Sequence, residues 1–72
     1  MKIYLNGKVF DLSHLPSPIT IEQTLPETLP KNQLQQSFAL ALNSEFVGKD
    51  DYAVTNIKNG DSIDILFPVV GG

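Results

Sequence analysis

Met1-Lys2-Ile3-Tyr4-Leu5-Asn6-Gly7-Lys8-Val9-Phe10-Asp11-Leu12 opens the chain and decides how the rest must fold. Two strand-like runs, Met1 to Leu5 and Lys8 to Leu12, flank Asn6-Gly7, the dipeptide that best tolerates the positive φ angles of a type I′ hairpin turn. A two-residue loop fixes the register, so Leu5 opposes Lys8, Ile3 opposes Phe10 and Met1 opposes Leu12. Strand side chains alternate between faces. Ile3, Phe10, Met1 and Leu12 are therefore core candidates, with Tyr4 and Val9 on the opposite face.

Past the hairpin, Ser13, Pro16, Ser17 and Pro18 mark a loop. Thr20 followed by Gln23 has the spacing of a capping box that opens a helix. Ile21, Leu25 and Leu29 recur every four residues and share one helical face. Pro26 conflicts with this pattern, because inside a helix it removes a hydrogen bond and clashes with the preceding turn, at a cost of about 3 kcal/mol. The helix is thus short, kinked, or begins later with Pro26 in its first turn. Pro30 should end it, leaving Lys31 to Gln36 as a further turn or a loop.

The second half returns to a two-residue period. In Phe38-Ala39-Leu40-Ala41-Leu42-Asn43, Phe38, Leu40 and Leu42 can face the core while Ala39 and Ala41 face outward. Asn43-Ser44 is a turn into a short strand, Glu45 to Val47, followed by Gly48-Lys49-Asp50-Asp51. Tyr52 to Ile57 is expected as loop with at most one helical turn. Asn59-Gly60-Asp61 is a second strong turn signal. It launches Ser62 to Pro68, with Ile63, Ile65 and Phe67 on one face and Asp64, Leu66 and Pro68 on the other. A hairpin, a helix and further strands suggest an α+β fold in which one helix crosses a face of a small mixed sheet. That arrangement fits a ubiquitin-like β-grasp with its first and last strands central and parallel.

Composition sets outer bounds. Seventy-two residues make one domain, read as a folded body over 1–68 and a flexible tail over 69–72. Apolar residues form 42% of the chain and charged ones 18%, enough for a core and against disorder. Without cysteine there is no disulfide, thiol nucleophile or Cys-based metal site. No apolar run approaches the ~20 residues that span a bilayer, and the start lacks a signal peptide's long apolar stretch. A net charge of −3 repels a phosphate backbone. The expectation is a cytoplasmic protein, monomeric when free, that binds neither nucleic acid nor membrane.

Val69-Val70-Gly71-Gly72 follows the final strand and ends in an α-carboxylate. Paired glycines, having no Cβ, make a thin tail able to thread a narrow channel and present an unhindered carboxyl carbon. Gly72 is therefore read as the reactive residue, with Gly71 and Val70 as the tail that delivers it, against the plainer alternative of a frayed terminus. Other polar residues read as structural. His14 stands alone in a Ser/Pro loop, and Asp50-Asp51 supplies too few oxygens for a cation and suits a turn or cap. Glu22 and Glu27 decorate the helix, and Tyr52 anchors its loop. No Walker loop, triad or metal-ligand set is present, so the chain is not expected to be an enzyme.

These residues resemble the sulfur carriers of the ThiS/MoaD β-grasp superfamily, and most closely the ThiS family of thiamine biosynthesis. The resemblance spans the chain and is most specific in Ala39-Leu40-Ala41-Leu42-Asn43 with Glu45-Phe46-Val47, in Asn59-Gly60-Asp61 with Ile63 and Ile65, and in Gly71-Gly72. It implies that an E1-like, ThiF-type adenylyltransferase activates the Gly72 carboxylate with ATP. A cysteine desulfurase or other persulfide donor then supplies sulfur, and the resulting thiocarboxylate serves a ThiG-type thiazole synthase. No cofactor is expected on the chain itself, because ATP belongs to the partner. Docking is expected on the sheet face away from the helix, where Tyr4, Val9, Ala41, Leu66 and Pro68 would form one apolar surface. The alternatives are a MoaD-like small subunit of molybdopterin synthase, whose usual ending Phe67-Pro68-Val69 approaches, a ubiquitin-like protein modifier, and a simple binding module.

Overall fold

In the computed structural model, which describes residues 1–68, β1 (Lys2–Leu5) and β2 (Lys8–Asp11) form the hairpin that Asn6-Gly7 dictates. Asn6 and Gly7 both adopt positive φ, 50° and 82°, as a type I′ turn requires. The register is the expected one, with Leu5 opposite Lys8 and Ile3 opposite Phe10. Ile3 and Leu12 are fully buried, whereas Met1 and Phe10 pack against the core from its margin.

The chain then crosses to a two-residue strand, β3 (Ile19–Thr20), and enters α1 (Ile21–Thr28). The capping box closes in both directions: Gln23 N–H donates to Thr20 Oγ1 at 3.2 Å and Thr20 N–H to Gln23 Oε1 at 2.9 Å. Of the three open possibilities for Pro26, the helix takes the short one, eight residues with the proline inside. Pro26 and Glu22, the residue whose carbonyl loses its donor, both lie on the exposed side, where water can replace the bond. Ile21, Leu25 and Leu29 line the buried side as their spacing predicts. Thr24, fully buried among them, satisfies its hydroxyl by donating to Thr20 C=O at 3.0 Å. After Pro30, α2 (Lys31–Leu34) is a single turn.

β4 (Ala39–Leu42), β5 (Glu45–Val47) and β7 (Ser62–Leu66) complete the main sheet. Its order is β2-β1-β7-β4-β5. β7 pairs in parallel with β1, placing Leu5 beside Ile63, and antiparallel with β4, placing Leu40 beside Ile65 and Leu42 beside Ile63. The last strand is thus central and parallel to the first, as the β-grasp reading required. Asn43 and Ser44 join β4 to β5 with positive φ at both positions, a second turn of the primed kind.

The Tyr52-to-Ile57 expectation needs correction. Its helical turn lies earlier, at Lys49–Asp51, and Asn56–Ile57 forms a strand, β6, paired with β3 as Ile19 to Ile57 and Thr20 to Asn56. This second, two-stranded sheet serves the helix start. Ile21 N–H donates to Thr55 C=O at 3.0 Å and Glu22 N–H to Tyr52 C=O at 3.1 Å, so two donors that a helix N-terminus leaves orphaned are paired by the loop. Ile3, Ile21, Leu40 and Ile63 meet at the centre of the core between α1 and the sheet.

Candidate functional site: the open sheet face and the end of β7

α1 covers one side of the main sheet, and the other side carries the exposed apolar residues. Tyr4 and Val9 are cross-strand partners on the hairpin, about half exposed. Leu66 is 71% and Phe46 75% exposed. Register shows how these residues divide. Tyr4 lies beside Ser62, so Leu66 is four residues further along, ~13 Å at the usual rise of a strand. Asp64, exposed, stands between them opposite Ala41. The five expected docking residues therefore fall into two groups, Tyr4 with Val9 on the hairpin and Leu66 with Pro68 at the end of β7, with Ala41 half-buried between.

The group at the end of β7 is larger than the sequence reading made it. Ala41 opposes Phe46 across the β4–β5 pair and Ala39 opposes Leu66 across β4–β7. The small Ala39 side chain, with Phe46 and Leu66 standing around it, leaves a shallow groove of about 410 Å³, lined by Ser37, Phe38, Ala39, Phe46, Leu66, Phe67 and Pro68. Its base is anchored by aromatic packing: Phe38 meets Phe67 edge to face at 5.6 Å and lies parallel to Tyr52 at 6.5 Å. Phe46 went unassigned from sequence, although a signal existed. Val47 must face the core opposite Leu40, and alternation then sends Phe46 outward.

The turn motifs before β7 act as clamps. Lys2 N–H donates to Asn59 Oδ1 at 2.8 Å while Gly60 N–H donates to Lys2 C=O at 2.7 Å, tying the turn to β1. Gly60 holds φ at 86°, a conformation that favours glycine. Asp61 accepts from Lys58 N–H at 2.7 Å and from Asn43 Nδ2 at 3.0 Å. Asn43 Oδ1 in turn accepts Ser62 N–H at 2.9 Å. The residues that carried the resemblance thus fix where β7 begins.

His14 is exposed as expected, but it is paired, its Nε2 meeting Glu27 Oε1 and tying the loop to α1. Asp50 and Asp51 sit in the helical turn Lys49–Asp51. Tyr52 is buried and joins the core, and burial raises its phenol above the ordinary value of 10.0. Asp11, at the end of β2, is held below its ordinary 3.8 by hydrogen bonds from the Ser13 hydroxyl and the Ser13 N–H. Among the described residues no group of three or more His, Cys, Asp or Glu side chains could hold a metal ion, and no helix is long and apolar enough to cross a membrane. Val70, Gly71 and Gly72, expected to carry the chemistry, lie outside the described residues.

A model of the ThiS family matches residues 3–72. The chain belongs to the ThiS family. Its fold is similar to the crystal structure of the thiamine biosynthesis protein ThiS from Geobacter metallireducens, with a TM-score of 0.75, 22% sequence identity and 100% of each chain covered. At that identity the likeness shows the fold, a ubiquitin-like β-grasp. No match was found among curated proteins. ThiS-family proteins are small sulfur carriers rather than enzymes. The ThiS match reaches residue 72 and so takes in the diglycine together with the strand that leads to it.

Proposed function

We propose that this chain is the sulfur carrier for the thiazole of thiamine and that its working group is the Gly72 carboxyl. The observation that carries this is the family match running through β7 to residue 72, on a body where β7 is held at the centre of the sheet. An α-carboxyl with a reference pKa of about 3.5 is ionised at neutral pH and is a poor electrophile. Attack of one carboxylate oxygen on the α-phosphorus of ATP expels pyrophosphate and gives an acyl adenylate. The terminal sulfur of a protein persulfide then attacks the acyl carbon and AMP leaves. A second thiol takes up the remaining S–S bond, releasing the Gly72 thiocarboxylate and a disulfide. Thiazole synthase would accept that sulfur, and the carboxylate would return for another cycle.

The carrier's own part is recognition and delivery. We assign docking on the adenylating enzyme to the groove at Leu66, Phe46 and Pro68, because it is the apolar surface nearest the point where the chain leaves β7. The partners in this scheme are an E1-like adenylyltransferase, a persulfide donor such as a cysteine desulfurase, and thiazole synthase. The deciding experiment is complementation of a thiazole-requiring strain that lacks its own carrier. Growth is expected with the full chain and none when Gly72 is deleted. Rescue of a molybdopterin-deficient strain instead would move the carrier to that pathway, and isolation of Gly72 in amide linkage to other proteins would make it a modifier. Intact-mass analysis should show one oxygen replaced by sulfur.

A further inference from the structure

β1 ends too early for the strand beside it. Its backbone turns away at Asn6, where φ is 50°, while β7 continues to Leu66. Up to that point the parallel ladder is regular, with Tyr4 N–H donating to Asp61 C=O and Asn6 N–H to Ile63 C=O, both at 2.9 Å. In a continuing parallel ladder, Ile65 N–H would next donate to the residue 6 carbonyl, and the N–H of residue 8 to Ile65 C=O. The turn forbids this, because it carries Lys8 back along β2 to lie opposite Leu5.

The Asn6 side chain replaces both missing rungs. Its Oδ1 accepts Ile65 N–H at 2.7 Å, and its Nδ2 donates to Ile65 C=O at 3.3 Å, both partly shielded from water. A carboxamide offers one acceptor and an N–H donor on neighbouring atoms, as a peptide group does. On the other side of β7, Leu40 pairs with Ile65 and Ala39 with Leu66. Ile65 thus has a neighbouring strand on the β4 side, but both of its own backbone polar groups are met by Asn6, three residues before Pro68.

We infer that Asn6 is a positioning residue, whose carboxamide fixes the last β1-side rung of β7 and so sets the direction in which the chain leaves the sheet toward Gly72. This rests on the proposed role of Gly72 as the acyl group that partners charge. Freed on one side at Ile65, the strand end would sample several exits, and a misplacement of ~1 Å at a reacting group can cost on the order of a hundredfold in rate. Asn6 also makes the turn, but the two roles separate. Glycine accepts positive φ at least as well as asparagine and has no amide to give.

The test compares the full-length wild type with Asn6→Gly and Asn6→Asp. Three quantities are measured well below the thermal midpoints: amide exchange at Ile65, the midpoints themselves, and steady-state pyrophosphate release with ATP and the adenylating enzyme of the thiazole pathway. In Asn6→Gly, Ile65 should exchange at least about tenfold faster while Ile3 and Ile63 stay protected. Its kcat should fall about tenfold with KM within about twofold, because the docking face is untouched. Asn6→Asp keeps the acceptor, loses the donor, and should lie between the two in both Ile65 exchange and kcat. If Asn6→Gly does not fold, the Asp variant decides alone. An unchanged kcat, an Ile65 amide that stays protected, or a kcat that follows thermal midpoint rather than Ile65 exchange overturns the inference. A wild type that releases no pyrophosphate overturns the proposed function itself, and the positioning role with it.

Discussion

The two faces of the main sheet obey the same alternation and have opposite fates. Ile3, Leu40, Ile63 and Ile65 point toward α1 and are at most 3% exposed. One residue away along the same strands, Tyr4 is about half exposed, and Leu66 and, on β5, Phe46 stand largely in solvent. Stability requires the first face only. Fully burying an Ile or Leu side chain contributes about 1.5–3 kcal/mol, whereas an exposed Leu66 contributes little to folding and leaves apolar surface in water. Large apolar side chains on an open face, beside the end of β7, are what the proposed docking role requires.

Substitutions on each face should break that comparison in different observables. Ile63→Ala, on the helix side, should cost about 2–5 kcal/mol in urea unfolding, since no neighbour can close the cavity fully. Leu66→Asp should change folding stability by no more than about 0.5 kcal/mol yet weaken binding to the adenylating enzyme by about 1–2 kcal/mol in a titration. Phe46→Ser should follow the same pattern, and unchanged affinity for both variants would move docking elsewhere, with Tyr4 and Val9 the next surface to probe. Thr20→Ala, which removes the cap of the helix that covers the buried face, should cost about 1 kcal/mol with binding intact.

The smallest effects come from pH. Tyr52 has its folded-state pKa raised by burial, so the stability it contributes is complete below 10.0 and is lost as pH rises through the folded value. Stability should therefore decline above pH 10, and Tyr52→Phe should flatten that decline. Asp11 shifts the other way. Its pKa is depressed, so its contribution is present above 3.8 and disappears as pH falls through the lower folded value. Asp11→Asn should reduce the acid dependence below pH 4 and should lose, at neutral pH, the stability that the ionised carboxylate contributes there.

Sequence was most legible where one local signal dictated one geometry. Asn6-Gly7 specified turn, register and both faces of the hairpin, and Thr20 with Gln23 marked the start of α1. β3 and β6 were not legible, because two residues carry no period and Ile19 pairs with Ile57 across most of the chain. Pro26 left three possibilities because its cost depends on which side of the helix the unpaired carbonyl faces, a matter of tertiary packing. At the candidate site, alternation put Tyr4, Val9 and Leu66 on the face away from the core, where they are exposed, and Pro68, past the end of β7, is exposed as well. Alternation could not say that the register separates them along the strands, or that the small Ala39 would open a groove between Phe46 and Leu66. The tail residues Val70, Gly71 and Gly72 were assigned from chemistry and resemblance, and the described residues end before them.

The dipeptides that clamp β7 also carry a chemical liability. Asn6-Gly7 and Asn59-Gly60 each place an asparagine before a residue without a Cβ, whose backbone nitrogen can attack the side-chain carbonyl carbon and expel ammonia. Hydrolysis of the resulting ring turns Asn6 into an acid that has no donor for the Ile65 carbonyl, so an aged molecule would hold the strand end more weakly while its core stayed intact. Old preparations should thus fail as cargo bearers before they fail as folded proteins, and charge-variant chromatography of stored samples would time that decay.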